Sequence, residues 1–268
     1  MTDQASFLAK VRQAAAAGRA YRVHAVDQDP SVAYLGAEED LCQRLAAEID
    51  AVGGKAVVVD NLPAAAEPLQ AWLVEAQAHR AVCWRHPLLE ALGLSDLLAA
   101  AGIQCWDEAT LRDLPEPERR ARVLACDIGI TSCDWAIAES GTLVMCAKPG
   151  QERVASLLPP WHVAVVHRQQ IVPDLIDALL LLAAASGQPA PSETFSSRQD
   201  GADLPSPSPR LPDARIPDGR MPALEAFLPE LPSNITLITG PSKTGDMELQ
   251  LTTGVHGPAH WRVLVIRD

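Results

Sequence analysis

The sequence predicts an α/β fold: a mostly parallel sheet flanked by helices, with an added hairpin. Two observations point to it. Helix-like and strand-like segments alternate along the chain, and the strand-like ones are short buried runs, the pattern of a parallel sheet covered by helices. The hairpin comes from "DWAIA" and "TLVMCA", which are separated only by Glu139-Ser140-Gly141.

The elements follow in order. "AEEDLCQRLAAEIDAVGG" places Leu41, Leu45, Ile49 and Val52 at helical spacing and ends at Gly53-Gly54, glycines suited to a helix C-cap. "KAVVVD" reads as a short buried strand. A helix carrying Leu69, Leu73 and Ala76 leads to the strand "RAVCW", and a second, "PLLEALGLSDLLAAAG", leads to "IQCW". After the hairpin come the strand "HVAVV" and a helix from about Pro173 to Ser186. A strand with Ile235, Leu237 and Ile238 follows, then a helix opened by Ser242-Lys243-Thr244, and a last strand, "WRVLVI". The closing strands are expected to return to the same sheet. Residues 186–232 stand apart: they hold ten of the 22 prolines and no periodicity. Such composition predicts an extended surface loop, with a short helix near Ala223–Leu228, inside a single domain spanning 1–268.

At 268 residues the chain can bury a core without staples. A net charge of −12, with no basic stripe, argues against nucleic acid as a partner. The six cysteines form no C-x-x-C pair and mostly lie in apolar runs. Buried reduced thiols are expected, and the spacing suits neither a zinc site nor an iron–sulfur cluster. The N-terminus lacks the basic and apolar regions of a signal peptide. The longest apolar run, Ala178–Ala185, is too short to span a bilayer, so a cytoplasmic location is expected and no membrane partner.

Ligands of open α/β sheets bind beyond the carboxyl ends of the strands. Three loops qualify. "DIGITSCDWAIAESGT" gathers Thr131, Asp134, Glu139, Ser140, Gly141 and Thr142; "ERVASLLPPWH" carries Arg153 and His162; the third runs from Gly240 through Ser242, Lys243, Thr244, Asp246 and Glu248 to His256. A lysine in the first turn of a helix is opposed by the dipole, unless an anion is bound there. Two readings therefore stand for Gly240–Glu248: an anion cradle, or an ordinary capped helix with a solvated lysine. Glu139 is a general base or nucleophile, or else a plain turn residue. His162 belongs to the core or to a pocket edge, and Arg153 is an anion partner or a surface charge. His256 and His260 share helical i, i+4 spacing, but Gly257-Pro258 between them speaks against a helix and so against a metal face. Neither a Walker A loop nor a dinucleotide fingerprint is present.

Three blocks, "DIGITSCDWAIAESGTLVM", "RVASLLPPWHVAVV" and "TLITGPSKTGDMELQLTTGVHGP", resemble in this order the LUD-domain proteins of the LutC (YkgG) type. The resemblance covers about residues 120–268. It implies a NagB/RpiA/CoA-transferase-like fold and a role beside iron–sulfur LutA-like and LutB-like partners in oxidising L-lactate to pyruvate. On this reading the clusters belong to the partners and the chain itself carries no cofactor. It binds a small anionic ligand in a pocket formed by the first and third loops, Thr131–Thr142 and Gly240–Glu248, while Glu139 and Asp134 order those loops or move a proton. The alternatives are a stand-alone transferase or isomerase acting on an acyl-CoA or sugar phosphate, with Glu139 as nucleophile or base, and a non-catalytic scaffold. The proline-rich stretch 196–222 is longer than the resemblance leads one to expect.

Overall fold

The computed structural model describes residues 40–185, 234–245 and 251–268, together with Lys10 and Pro232. The proline-rich stretch, the expected helix near Ala223–Leu228, and Asp246 and Glu248 lie outside the described residues.

The predicted first helix is α1 (Leu41–Ala51). It buries Cys42, Leu45, Ala46 and Ile49 on one face, starts on the Asp40 side chain and stops before Gly53. Next come β1 (Lys55–Val59), α2 (Ala66–Glu75) and β2 (Arg80–Cys83). The segment read as one helix is two, α3 (Pro87–Ala91) and α4 (Leu94–Ala100). Gly93, at φ +69°, turns the chain between them. Then follow β3 (Gln104–Trp106) and two helices that sequence reading passed over, α5 (Glu108–Arg112) and α6 (Glu116–Leu124). "DIGIT", read as part of a loop, is the strand β4 (Ile128–Thr131). The hairpin is β5 (Trp135–Ile137) and β6 (Thr142–Cys146), followed by α7 (Val154–Leu157), β7 (Trp161–His167), β8 (Ile171–Val172) and α8 (Leu175–Ala185). The later elements are β9 (Ile235–Ile238), β10 (Lys243–Gly245), β11 (Leu251–Thr253) and β12 (His260–Ile266).

The main sheet is wholly parallel, in the order β1-β12-β7-β4-β2-β3. Among the described strands β1 is therefore an edge, half-buried rather than fully buried. β12 enters between β1 and β7. The hairpin does not join this sheet; it forms a second one in the order β8-β5-β6-β9. Alternation explains how that second sheet packs. Ala136, Leu143, Met145 and Ile171 point into the main core, while Trp135, Ile137, Val144, Cys146 and Val172 form a smaller core with Ala178 and Leu182 of α8. Of the closing strands, β12 returns to the main sheet as expected, but β9 pairs antiparallel with β6 in the second. Among the described residues no helix is long and apolar enough to cross a membrane.

Candidate functional site

The order of the main sheet singles out one place. From β2 the chain moves outward to β3, whereas from β4 it moves the other way to β7, so the connections diverge between the neighbours β2 and β4. A crevice outside the carboxyl ends of two such strands is where open parallel sheets hold ligands. Trp84-Arg85-His86 leave β2 there, and Ser132-Cys133-Asp134 leave β4.

Local hydrogen bonds fix both exits. Trp84 N donates to Ile130 O (2.9 Å), carrying the β2–β4 ladder past its last strand residue, and Arg85 N donates to Gly150 O (2.8 Å). The Lys148–Gln151 turn thus folds onto the end of β2. Asp134 governs the corner between the two sheets. Its carboxylate accepts from Cys146 N (2.6 Å) and pairs with Lys148, and its own N–H donates to Val144 O. His86 is buried and caps α3, with Nδ1 accepting from Leu88 N (3.2 Å), so that its ring proton belongs on Nε2. Burial lowers its pKa to about 4; the Asp134 carboxylate opposes that shift and the Lys148 ammonium adds to it. At neutral pH the crevice therefore holds a neutral N–H donor, an ammonium and a carboxylate within electrostatic reach of each other. Gln151 is buried beside them, and its Oε1 has no partner among the described residues. This set can bind and orient a small polar anion.

His86, Lys148 and Gln151 escaped sequence reading. The signal was present in "CWRHP", a histidine at the carboxyl end of a strand and directly before a helix-starting proline, and in the Lys148-Pro149-Gly150 turn.

The residues singled out from sequence divide into separate groups. Thr131 and His162 meet inside the main sheet, Oγ1 to Nε2 at 2.8 Å, both fully buried. Of the two readings for His162, the core one is observed. Burial alone lowers its pKa to about 3, and its Nδ1 has no partner among the described residues. Gly129, the register partner of His162 on β4, admits no side chain, because a Cβ there would overlap the Ala155 carbonyl of α7. Arg153 is exposed just before α7.

A second group surrounds the end of α1. Ser140 Oγ, Thr142 Oγ1 and Thr239 Oγ1 form a chain of hydroxyls at 2.8 and 2.7 Å. Gly141, at φ +62°, backs onto α1, where a Cβ would come within 2.8 Å of Ile49 N. A Cβ on Gly240 would come within 3.0 Å of Val52 O. The loops carrying Thr142 and Gly240 are thus brought together as expected.

The helix expected at Lys243 is not there. Lys243, Thr244 and Gly245 form β10, paired with Thr253, Thr252 and Leu251 of β11. The anion cradle built on a helix N-terminus is thereby corrected. Lys243 Nζ instead donates to Val52 O (2.8 Å), the carbonyl at the C-terminal end of α1. There the helix dipole attracts a cation rather than opposing it. The misreading arose because Ser-Lys-Thr suits a helix start and a β-hairpin equally. Ser242 N donates to Pro258 O (2.8 Å), which ties this hairpin to the exposed loop that holds His256.

Glu139 stands at the β5–β6 turn, half-buried. Its N–H donates to Pro173 O (3.0 Å), and its carboxylate makes no hydrogen bond or ion pair among the described residues. The cysteines are free thiols, all buried except the half-buried Cys105. Among the described residues no three His, Cys, Asp or Glu side chains are grouped so as to hold a metal ion.

Comparison with known proteins adds the following. The family model for the LUD domain matches residues 42–199 and 214–266. Lactate utilization protein C of Halalkalibacterium halodurans is 29% identical over 216 residues, covering 80% of this chain and 73% of that protein. The protein of the same name from Exiguobacterium sp. is 29% identical over 61% of this chain and 52% of its own length. That of Macrococcus caseolyticus is 30% identical over 70% and 61%. The chain thus spans between about half and three-quarters of these relatives. A crystal structure of a DUF162 family protein from Deinococcus radiodurans is similar at a TM-score of 0.47 and 16% identity, covering 84% of this chain and 96% of that one.

Proposed function

The chain belongs to the LUD-domain family, and from that membership we propose that it serves lactate utilisation as a carboxylate-binding subunit of a lactate-oxidising assembly. The observation that carries the reading is kinship with proteins named Lactate utilization protein C. The geometry supports a place for the ligand. In the crevice between β2 and β4, Lys148, held by Asp134, attracts the carboxylate of the acid, and the His86 Nε2–H and Gln151 orient its remaining oxygen. Asp134 acts here as an anchor for Lys148, and Thr131 and His162 stiffen β4 behind the crevice. The electrons pass to separate iron–sulfur proteins of the LutA and LutB kinds, because this chain's cysteines form no C-x-x-C motif.

The test is reconstitution. With L-lactate and an artificial electron acceptor, the purified chain alone is expected to be inactive, and co-expression with LutA-like and LutB-like iron–sulfur proteins should confer activity. In the assembly, His86→Gln and Lys148→Arg should each raise the KM for lactate at least tenfold. Lactate oxidation by the chain alone overturns the assembly reading; unchanged KM values overturn the placement of the ligand.

One observation favours a second reading. The unengaged carboxylate of Glu139 at a tight turn suits a covalent nucleophile in a transferase acting on an acyl-CoA. Hydroxylamine trapping after incubation with acyl-CoA, lost in Glu139→Gln, would establish it.

A further inference from the structure

A cleft of about 540 Å³ opens beyond the ends of β2 and β3, walled by α6 on one side and α7 on the other. α6 lines it with Glu116, Arg119, Arg120, Val123 and Leu124. Their i, i+3, i+4, i+7, i+8 spacing places them on a single helix face. That face changes character along its length, from charged in the first turns to apolar in the last. Val154, Ala155 and Leu158 stand opposite the apolar end. Buried Val82, Leu111 and Val123 form the floor, whereas Arg119 and Arg120 are exposed at the mouth. Leu124 and Leu158 remain 59% and 48% exposed along the cleft, which leaves an apolar trough uncovered.

The charges at the mouth are unevenly satisfied. Asp107 caps α5 through Thr110 N (2.8 Å), and Glu108 holds Arg112 in a fork at 2.7 and 2.8 Å. Glu152 accepts from Gly150 N (3.2 Å), and Glu116 stands in the first turn of α6, where the dipole favours an acid. Arg119 and Arg120 have no hydrogen bond or ion pair among the described residues. Two unengaged guanidinium groups therefore stand over an apolar trough whose volume lies within the range of small-molecule sites. Cys83 on the floor is inert, because its hydrogen bond with Cys105 and its burial hold the thiol well above the usual range.

We propose that this cleft binds an amphipathic carboxylate of the medium-chain acyl type, with its head between Arg119 and Arg120 and its chain between α6 and α7. A three-carbon acid would leave the apolar floor uncovered, so this ligand differs from the one placed in the crevice. Glu152 belongs to both neighbourhoods: its carbonyl accepts from Trp84 Nε1 (2.9 Å) at the exit of β2, and it lines the cleft.

The experiment is calorimetric titration of the full chain, without partner proteins or lactate, using decanoate, decanol and acetate as probes. Decanoate should bind saturably at one site, and decanol and acetate at least tenfold more weakly. The double substitution Arg119→Gln/Arg120→Gln should weaken decanoate at least tenfold and leave decanol unchanged. Its melting temperature should stay within about a degree, since both side chains are exposed. Val154→Trp, which fills the trough from its rim, should abolish binding of both decyl compounds. Equal binding of decanoate and decanol, or decanoate binding indifferent to Val154→Trp, overturns the proposal. So does a ligand-free dimer, seen by sedimentation, that Val154→Trp dissolves, because that result assigns the trough to a second copy.

Discussion

Lys243 shows how a single residue can be read correctly in kind and wrongly in place. Its charge does face a helix end, but the end is the carboxyl terminus of α1, reached across nearly the whole chain through the Val52 carbonyl. The expected role follows from that contact. Lys243→Met should cost about 0.5–1 kcal/mol, the worth of an exposed hydrogen bond and a dipole interaction, seen as a lower urea midpoint with an unchanged m-value. Lactate and decanoate affinities should not change. Local sequence could not reveal Val52 as the partner, because that contact depends on the β10–β11 hairpin lying beside α1. Gly53 and Gly240 carried the only hint, as glycines at positive φ that let two segments approach. Glu139 was different: its turn was legible from three residues and stands where the sequence placed it.

Among elements, the corner between β4 and β5 does the most to join the two sheets. Only Ser132, Cys133 and Asp134 separate a strand of the main sheet from a strand of the second. Asp134 pins that corner through Lys148 and the N–H of Cys146. Asp134→Ala should cost about 3 kcal/mol in chemical denaturation, because it removes one member of a largely buried ion pair and the acceptor of the Cys146 N–H. The double variant Asp134→Asn/Lys148→Met should recover much of that loss. The strands themselves were legible because β-branched runs such as Val57–Val59 and Val163–Val166 announce them. Which sheet a strand joins was not, since β6 and β9 are chosen as partners by packing between distant segments. α5 and α6 went unseen because so little of either is apolar and buried: Leu111 in the one and Val123 in the other. The candidate crevice was half legible. Asp134 was named from its loop, while His86 and Lys148 became its neighbours only once β2 was known to lie beside β4.

For the molecule as a whole, acid is the expected weakness. His86 and His162 are held neutral by burial, with pKa values near 4 and 3 against an ordinary 6.5. Below pH 6.5 the unfolded chain takes up protons that the folded chain refuses, so stability is full above that pH and falls as the pH drops toward those values. At pH 5 each histidine should have removed about 2 kcal/mol. Urea titrations at pH 7 and pH 5 check this, and His86→Gln should reduce the difference between them. The strand order bears on a different matter, the timing of synthesis. β1 emerges early from the ribosome, yet its one partner among the described strands is β12, which emerges after all the other described strands. Until then β7 shows a raw edge and β1 waits unpaired, so closure falls after translation of the whole domain and depends on contacts of the greatest sequence separation. A nascent chain stalled before His260 would hold a four-strand sheet, β7-β4-β2-β3, and a loose amino-terminal strand, the substrate that chaperones bind.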